Sequence, residues 1–238
     1  MPDTKTEPTL TSLAHGGGCG CKLAPNVLAD ILSEMPLALG SANLIVDAAT
    51  SDDAAVYRVN DTTALVATTD FFTPIVDDPH TFGRIAATNA LSDVFAMGAT
   101  PIFSLAIVGM PIGKISNETI RAILAGGQSV AETAGAPIAG EPIYGLVAMG
   151  LVHPDKLLLN SGAKAGDVLI LGKPLGVGIY SAALKRGIIE DADYAEMIAS
   201  TTRLNTPGSD LAGMEGVHAA TDVTGFGLLG HLSEMCRG

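Results

Sequence analysis

Apolar residues recur along this 238-residue chain in two rhythms, one helical and one alternating. Behind Pro25, residues Val27, Leu28, Ile31, Leu32 and Met35 fall three and four apart, the spacing of one helix face. Short β-type runs follow at Asn43–Val46, Ala54–Val59 and Ala64–Thr69. The spacing then predicts a helix over about Thr81–Met97, with Ile85, Leu91, Val94 and Phe95 to bury and Gly98 to end it. Ile102–Val108 reads as a strand, Ser116 as the N-cap of a helix reaching Thr133, and Tyr144–Val152 as another strand. Beyond Pro154 the loop Ser161–Gly166 leads into a compact strand, Asp167–Leu171. Helices are expected near Gly176–Arg186, Asp193–Thr202 and Leu228–Cys236, with a strand at Val217–Thr221. Strands and helices mix without strict βαβ alternation, which makes the fold class α+β.

The pattern divides the chain into a mobile glycine-rich arm over residues 1–22, a domain over 23–155 and a second over 156–238. The stripe Leu228, Leu229, Leu232 and Met235 needs a partner surface yet stands at the end of the chain, so the second domain is expected to be partial.

Composition narrows the function. Thirteen Lys and Arg against 25 Asp and Glu give a net charge of −12, which excludes a nucleic-acid binder held by a basic face. An apolar fraction of 47% excludes a disordered chain. No apolar stretch reaches the ~18 residues of a membrane span, and the first dozen residues have no signal-peptide pattern. Three cysteines, two of them one residue apart, make a poor disulfide framework; a reduced, cytoplasmic protein is expected.

Two features can carry chemistry. The segment Gly16-Gly17-Gly18-Cys19-Gly20-Cys21-Lys22 is no Walker phosphate loop, because Cys21 and Leu23 stand where Gly and Ser/Thr are needed. It places a thiol three residues from an ammonium, which favours the thiolate, although a plain glycine-rich tail with incidental cysteines fits as well. A zinc half-site lacks a second Cys/His pair at the right spacing. The other feature is a set of aspartates at element ends: Asp52 and Asp53, Asp70, and Asp222. Turn aspartates are usually structural. Asp93 differs, since a carboxylate among Ala90, Leu91, Val94 and Phe95 is expensive to bury without a cation or hydrogen bonds. Converging carboxylates suit Mg²⁺.

In combination, His15–Lys22, Asp52–Tyr57, Thr68–Phe72, Gly83–Ala90, Ser92–Gly98 and Thr221–His231 resemble the selenophosphate synthetase (selenide, water dikinase) family. That family shares a superfamily with aminoimidazole ribonucleotide synthetase and thiamine-phosphate kinase. The resemblance implies a two-domain fold of that type, with the N-terminal domain completing a barrel in a homodimer. It implies that ATP, selenide and water give selenophosphate, AMP and orthophosphate. Carried over by position, Cys19 and Lys22 are catalytic, and Lys22, Thr50, Ser51, Asp52, Asp70 and Asp93 contact ATP. Asp53, Asp93 and Asp222 match the Mg²⁺ ligands. Two departures stand out. Gly140 runs directly into Glu141-Pro142, where the family carries a longer nucleotide-contacting loop, and the family pattern continues past Gly238. The rivals are an ADP-releasing small-molecule kinase of the same superfamily and a non-catalytic module that binds ATP or selenium.

Overall fold

A computed structural model describes residues 7–14, 18, 27, 30–31, 41–46, 52–71, 73–111, 113–138 and 145–237. Five strands form one antiparallel sheet: β1 (Leu44–Val46), β2 (Ala55–Asn60), β3 (Thr63–Phe71), β4 (Thr100–Ala106) and β5 (Gly145–Val152), in the order β1-β2-β3-β5-β4. Two helices link the strands, α1 (Pro79–Ala96) between β3 and β4 and α2 (Asn117–Thr133) between β4 and β5. The last strand therefore enters the sheet between β3 and β4, pairing Leu65 with Leu151 on one side and Leu105 with Val147 on the other.

The helix ends follow local chemistry. Asp78 caps α1 by accepting from the Thr81 amide at 2.7 Å, and Pro79 fills the first turn, where its missing N–H is no loss. Gly98, at φ 73°, ends it. Ser116 caps α2 by accepting from the Thr119 amide at 3.1 Å.

Strand alternation gives the sheet two unlike faces. Val56, Ala64, Val66, Leu146 and Ala148 pack against Ala87, Leu91, Val94 and Phe95 of α1. The opposite face carries Tyr57, Val59, Leu105 and Leu151 in the open. A second core joins Phe82 and Ile85 of α1 to Ile123 of α2, Ile75, Val76 and Met197.

Past residue 152 come short helices: α3 (Val177–Lys185), α4 (Asp191–Thr201), α5 (Pro207–Leu211) and α6 (Gly227–Met235). Met197 of α4 belongs to the second core, Asn205 donates to Ser92 Oγ at 2.7 Å and Ser209 donates to Ala99 O at 2.5 Å. These contacts seat the C-terminal segment on α1.

Three expectations need correction. Asp167–Leu171 forms no strand; Val168 and Ile170 are 83% and 90% exposed, and among the described residues no strand pairs with the run. Val217–Thr221 is likewise irregular. Residues 7–14, assigned to a mobile arm, are seated: Leu10 lies in the second core, and Thr11 donates through both its amide and its hydroxyl to Asp77 Oδ1, at 2.8 and 2.7 Å. The helix expected from Val27 lies almost wholly outside the described residues; positions 27, 30 and 31 are helical. Among the described residues no helix is long and apolar enough to cross a membrane.

Candidate active site

The acidic residues meet where β3 faces α1. On β3, Thr68 and Asp70 are two apart and point to the same, buried face. On α1, Asn89 and Asp93 are four apart and also share a face. The two pairs interlock. Thr68 Oγ1 donates to Asp93 Oδ2 at 2.6 Å, and Asn89 Nδ2 donates to Asp70 Oδ2.

Asp52 and Asp53, just ahead of β2, approach the same end of the sheet. Asp52 Oδ1 accepts from the Asn160 amide at 2.8 Å, and Asp53 Oδ1 accepts from Thr221 Oγ1 at 3.0 Å. Thr221 thereby ties the loop bearing Asp222 to Asp53. That loop is braced from below: the Thr224 amide donates to His231 Nε2 at 3.1 Å, while His231 Nδ1 lies 3.0 Å from Glu234 Oε2. Asp52, Asp53, Ala67, Thr68 and Thr69 line an open cleft of about 290 Å³.

The electrostatics are unfavourable as they stand. Burial raises the Asp53 carboxyl well above the usual range, and the charge of Asp222 raises it further. Asp93 is raised well above that range too, by burial first and then by Asp222 and Asp70. Asp53 Oδ2 is buried with no hydrogen-bond partner. A carboxylate oxygen in that condition needs a proton or a cation. The donor set is all oxygen, which suits a hard divalent cation. Among the described residues no three acidic, histidine or cysteine side chains converge closely enough to enclose an ion alone. The aspartates fit part of a coordination shell that phosphate oxygens and water would fill.

Of the sequence-based candidates, the structure brings Asp52, Asp53, Asp70, Asp93 and Asp222 to one region. Cys19, Lys22, Thr50 and Ser51 lie outside the described residues. The residue preceding Cys19 is described: the Gly18 amide donates to Thr73 O at 3.2 Å, and Thr73 Oγ1 donates back to Gly18 O at 3.1 Å. Gly18 is thus tethered just beyond the Asp70 end of β3. The sequence reading missed Thr68, Asn89, Asn160 and Thr221, the residues that hold the aspartates. Thr68 and Asn89 carried a signal, since each is a polar residue spaced to share a face with an aspartate in an otherwise apolar element.

The chain that folds into this sheet covered by two helices carries both domain patterns of the AIR synthase-related proteins. The N-terminal domain pattern of AIR synthase related protein matches residues 51–152, and the C-terminal domain pattern matches residues 164–238. In fold, the chain is similar to thiamine-monophosphate kinase from Stenotrophomonas maltophilia (TM-score 0.63, 23% identity, covering 89% of this chain and 69% of that one). It is also similar to thiamine monophosphate kinase from Aquifex aeolicus (TM-score 0.60, 15% identity, 84% and 66% covered). The chain belongs to the selenide, water dikinase family. It is 62% identical to the selenide, water dikinase of Burkholderia ambifaria over 97% of its own length and 67% of the relative's. With that of Rhizobium meliloti the identity is 59%, covering 97% and 68%. Its match to the Burkholderia pseudomallei protein extends over 249 positions, more than the chain's 238 residues, so that alignment carries gaps on this chain's side.

Proposed function

We propose that this chain phosphorylates selenide at the expense of ATP, with water as the second phosphoryl acceptor, to give selenophosphate, AMP and orthophosphate. The observation that carries the reading is the identity near 60% with selenide, water dikinases along almost the whole chain. The buried, unpartnered Asp53 Oδ2 agrees with it, as an atom that needs the cation accompanying a nucleotide.

In this reading Asp53, Asp93 and Asp222 hold Mg²⁺, and Asp52 and Asp70, with Thr50 and Ser51, hold the nucleotide. Mg²⁺ would neutralise the phosphate oxygens. The chain's own residues do the positioning. Thr68 fixes the Asp93 carboxylate, Asn89 fixes Asp70, and Thr221 keeps the Asp222 loop against Asp53. Lys22 places a positive charge on the phosphates or on selenide. The Cys19 thiol, a soft group, delivers or activates the soft selenide anion through non-covalent contact, with no sulfur–selenium bond formed. The Gly18–Thr73 tether brings the start of that segment to the Asp70 side of the cleft. The two domains divide near residue 155, and the protein works in the cytoplasm.

The deciding measurement is an anaerobic assay with Mg²⁺ and ATP, with and without selenide. AMP formation that requires selenide is expected. Release of ADP would instead select the small-molecule kinase, and nucleotide binding without turnover would select a binding module. The sequence gives that last reading its footing, since Gly140 is followed directly by Glu141-Pro142 where the family carries a longer nucleotide-contacting loop. Lys22→Ala is expected to abolish selenide-dependent AMP, and Cys19→Ser to lower it strongly; full activity in the Cys19 variant would remove the thiol from the mechanism.

The protein is also proposed to be a homodimer through the bare sheet face. Tyr57 pairs across strands with Leu65, and Leu65 with Leu151, so the exposed apolar residues form a continuous band. Sedimentation at micromolar concentration should show a dimer, and Tyr57→Lys combined with Leu105→Lys should give a folded monomer. A wild-type monomer would refute the interface.

A further inference from the structure

We propose that His231 is the positioning residue that aims Asp222 into the metal site, by holding the loop from Thr221 to Phe226 through one backbone amide. The proposal rests on the reading of Asp222 as a Mg²⁺ ligand; the hold itself is geometric. His231 lies buried in α6. Its Nε2 accepts from the Thr224 amide at 3.1 Å, and Thr224 Oγ1 lies 3.3 Å from the same nitrogen. A backbone N–H can only donate, so Nε2 carries no proton and the ring's proton is on Nδ1. Nδ1 is buried with no hydrogen-bond partner, and the Glu234 Oε2 anion 3.0 Å away favours that tautomer by its charge.

The sequence builds this hold locally. Gly227, at φ 69°, turns the chain from loop into helix, and its amide donates to Thr224 O at 3.1 Å. Phe226 folds back over the helix at a residue with no side chain, since a Cβ at Gly230 would stand 2.6 Å from Phe226 Cβ. The Phe226 ring stacks on the imidazole with centroids 5.5 Å apart. The plane of the imidazole is fixed in this way, and Nε2 is brought to Thr224, three residues ahead of the helix.

The same loop is fixed at its other end. His218 Nδ1 lies 2.8 Å from Asp167 Oδ1, and a Cβ at Gly162 would stand 2.0 Å from His218 O, a contact of backbone on backbone. Between the two ends Thr221 donates to Asp53 Oδ1. Asp53 is itself a candidate ligand, and a cation drawn to its carboxylate competes for that oxygen. His231 stands outside the ligand set, so its hold survives metal binding. Where the loop puts Asp222 matters to both other carboxylates, because the charge of Asp222 acts on Asp53 and on Asp93. A histidine that merely satisfied the start of α6 would add stability and leave metal affinity alone.

The test measures binding of Mg²⁺ with a non-hydrolysable ATP analogue to the full-length chain by calorimetry. Gln and Asn are alike in polarity and differ in reach: a Gln side-chain oxygen can take the place of Nε2, and an Asn oxygen reaches only that of Nδ1. His231→Asn is expected to raise the dissociation constant about tenfold or more, the usual loss when one buried amide is left without its acceptor. His231→Gln should bind within about threefold of wild type, having kept that acceptor. Asp222→Asn, the reference for a lost ligand, should bind at least as weakly as His231→Asn. Hydrogen exchange of the metal-free wild type gives a readout that needs no variant to fold: the Thr224 amide should exchange at least about tenfold more slowly than in a free chain. Free-chain exchange at Thr224 overturns the hold. So does wild-type binding in His231→Asn, or equal weakening in the Asn and Gln variants, when Asp222→Asn has lost affinity. Wild-type binding in Asp222→Asn strikes the ligand reading itself, and the positioning role with it.

Discussion

Asp93→Asn is expected to raise the melting temperature of the metal-free protein and to abolish its stabilisation by Mg²⁺ and an ATP analogue. Asp93 sits inside α1 among Ala90, Leu91 and Val94, and Thr68 Oγ1 is the donor that reaches it. Burial, Asp222 and Asp70 all push its proton affinity up. The native state therefore holds that proton more tightly than the unfolded chain does. Stability from this source is complete below the ordinary carboxylate range and is lost as pH rises through the elevated native value. Asp53 contributes in the same direction. Metal-free wild type should accordingly be more stable at pH 5 than at pH 7.5. The amide of the Asn variant keeps an oxygen for Thr68 and carries no charge, so the pH slope should flatten. Relief of about 1–2 kcal/mol, an ordinary penalty for an ill-satisfied buried polar group, amounts to about 2–8 °C for a domain of this size. With Mg²⁺ and nucleotide at a hundred times the dissociation constant the order should invert. The wild type would gain about 2.7 kcal/mol and the variant nothing. Turnover should fall at least about a hundredfold, and a variant that kept its metal-dependent stabilisation would remove Asp93 from the ligand set.

Asp93 also shows which parts of the site could be read in advance. A carboxylate in an apolar helix is a local anomaly, visible without any partner. The strands β2, β3 and β5 and the helices α1 and α2 were legible for a similar reason, because their rhythm, caps and terminating glycine are written within a dozen residues. What failed was non-local. Thr221 reaches Asp53 and Asn160 reaches Asp52 across more than a hundred residues, and no spacing rule links them. Leu10 and Leu13 are too short a run to announce that Thr11 will lock onto Asp77. Asp167–Leu171 failed in the opposite sense. It has the composition of a buried strand, but a strand exists only by its ladder, and among the described residues none supplies the neighbour. The chain spans about two thirds of the length of the relatives it matches. Cys19 and Lys22, expected from the motif alone, lie outside the described residues.

Gly83→Val should prevent stable folding, and Gly83→Ala alone should lower stability by more than about 3 kcal/mol. A Cβ at Gly83 would stand 2.0 Å from Ile123 O, and one at Gly126 would stand 2.0 Å from His80 O. The helices α1 and α2 therefore touch backbone to backbone at two reciprocal points, with no flexible side chain to give way. Making room means moving α2 off α1, which opens the core of Phe82, Ile85 and Ile123 between them. Overpacking in a core typically costs about 1–3 kcal/mol when side chains can adjust, and a rigid carbonyl raises that. The gain in helix propensity from Gly to Ala, about 1 kcal/mol, cannot offset it. Gly178 in α3 provides the control, because a Cβ there meets nothing within 4 Å; Gly178→Ala should be neutral or stabilising by up to about 1 kcal/mol. Urea midpoints of the Ala variants should therefore move in opposite directions. Gly83→Ala and Gly126→Ala widen the same gap, so the double variant should lose less than the sum of the singles. A site effect should accompany the loss. The face of α1 that carries Asn89 and Asp93 begins two turns beyond Gly83, so any Gly83→Ala protein that still folds should bind Mg²⁺ and nucleotide more weakly, as Gly178→Ala should not.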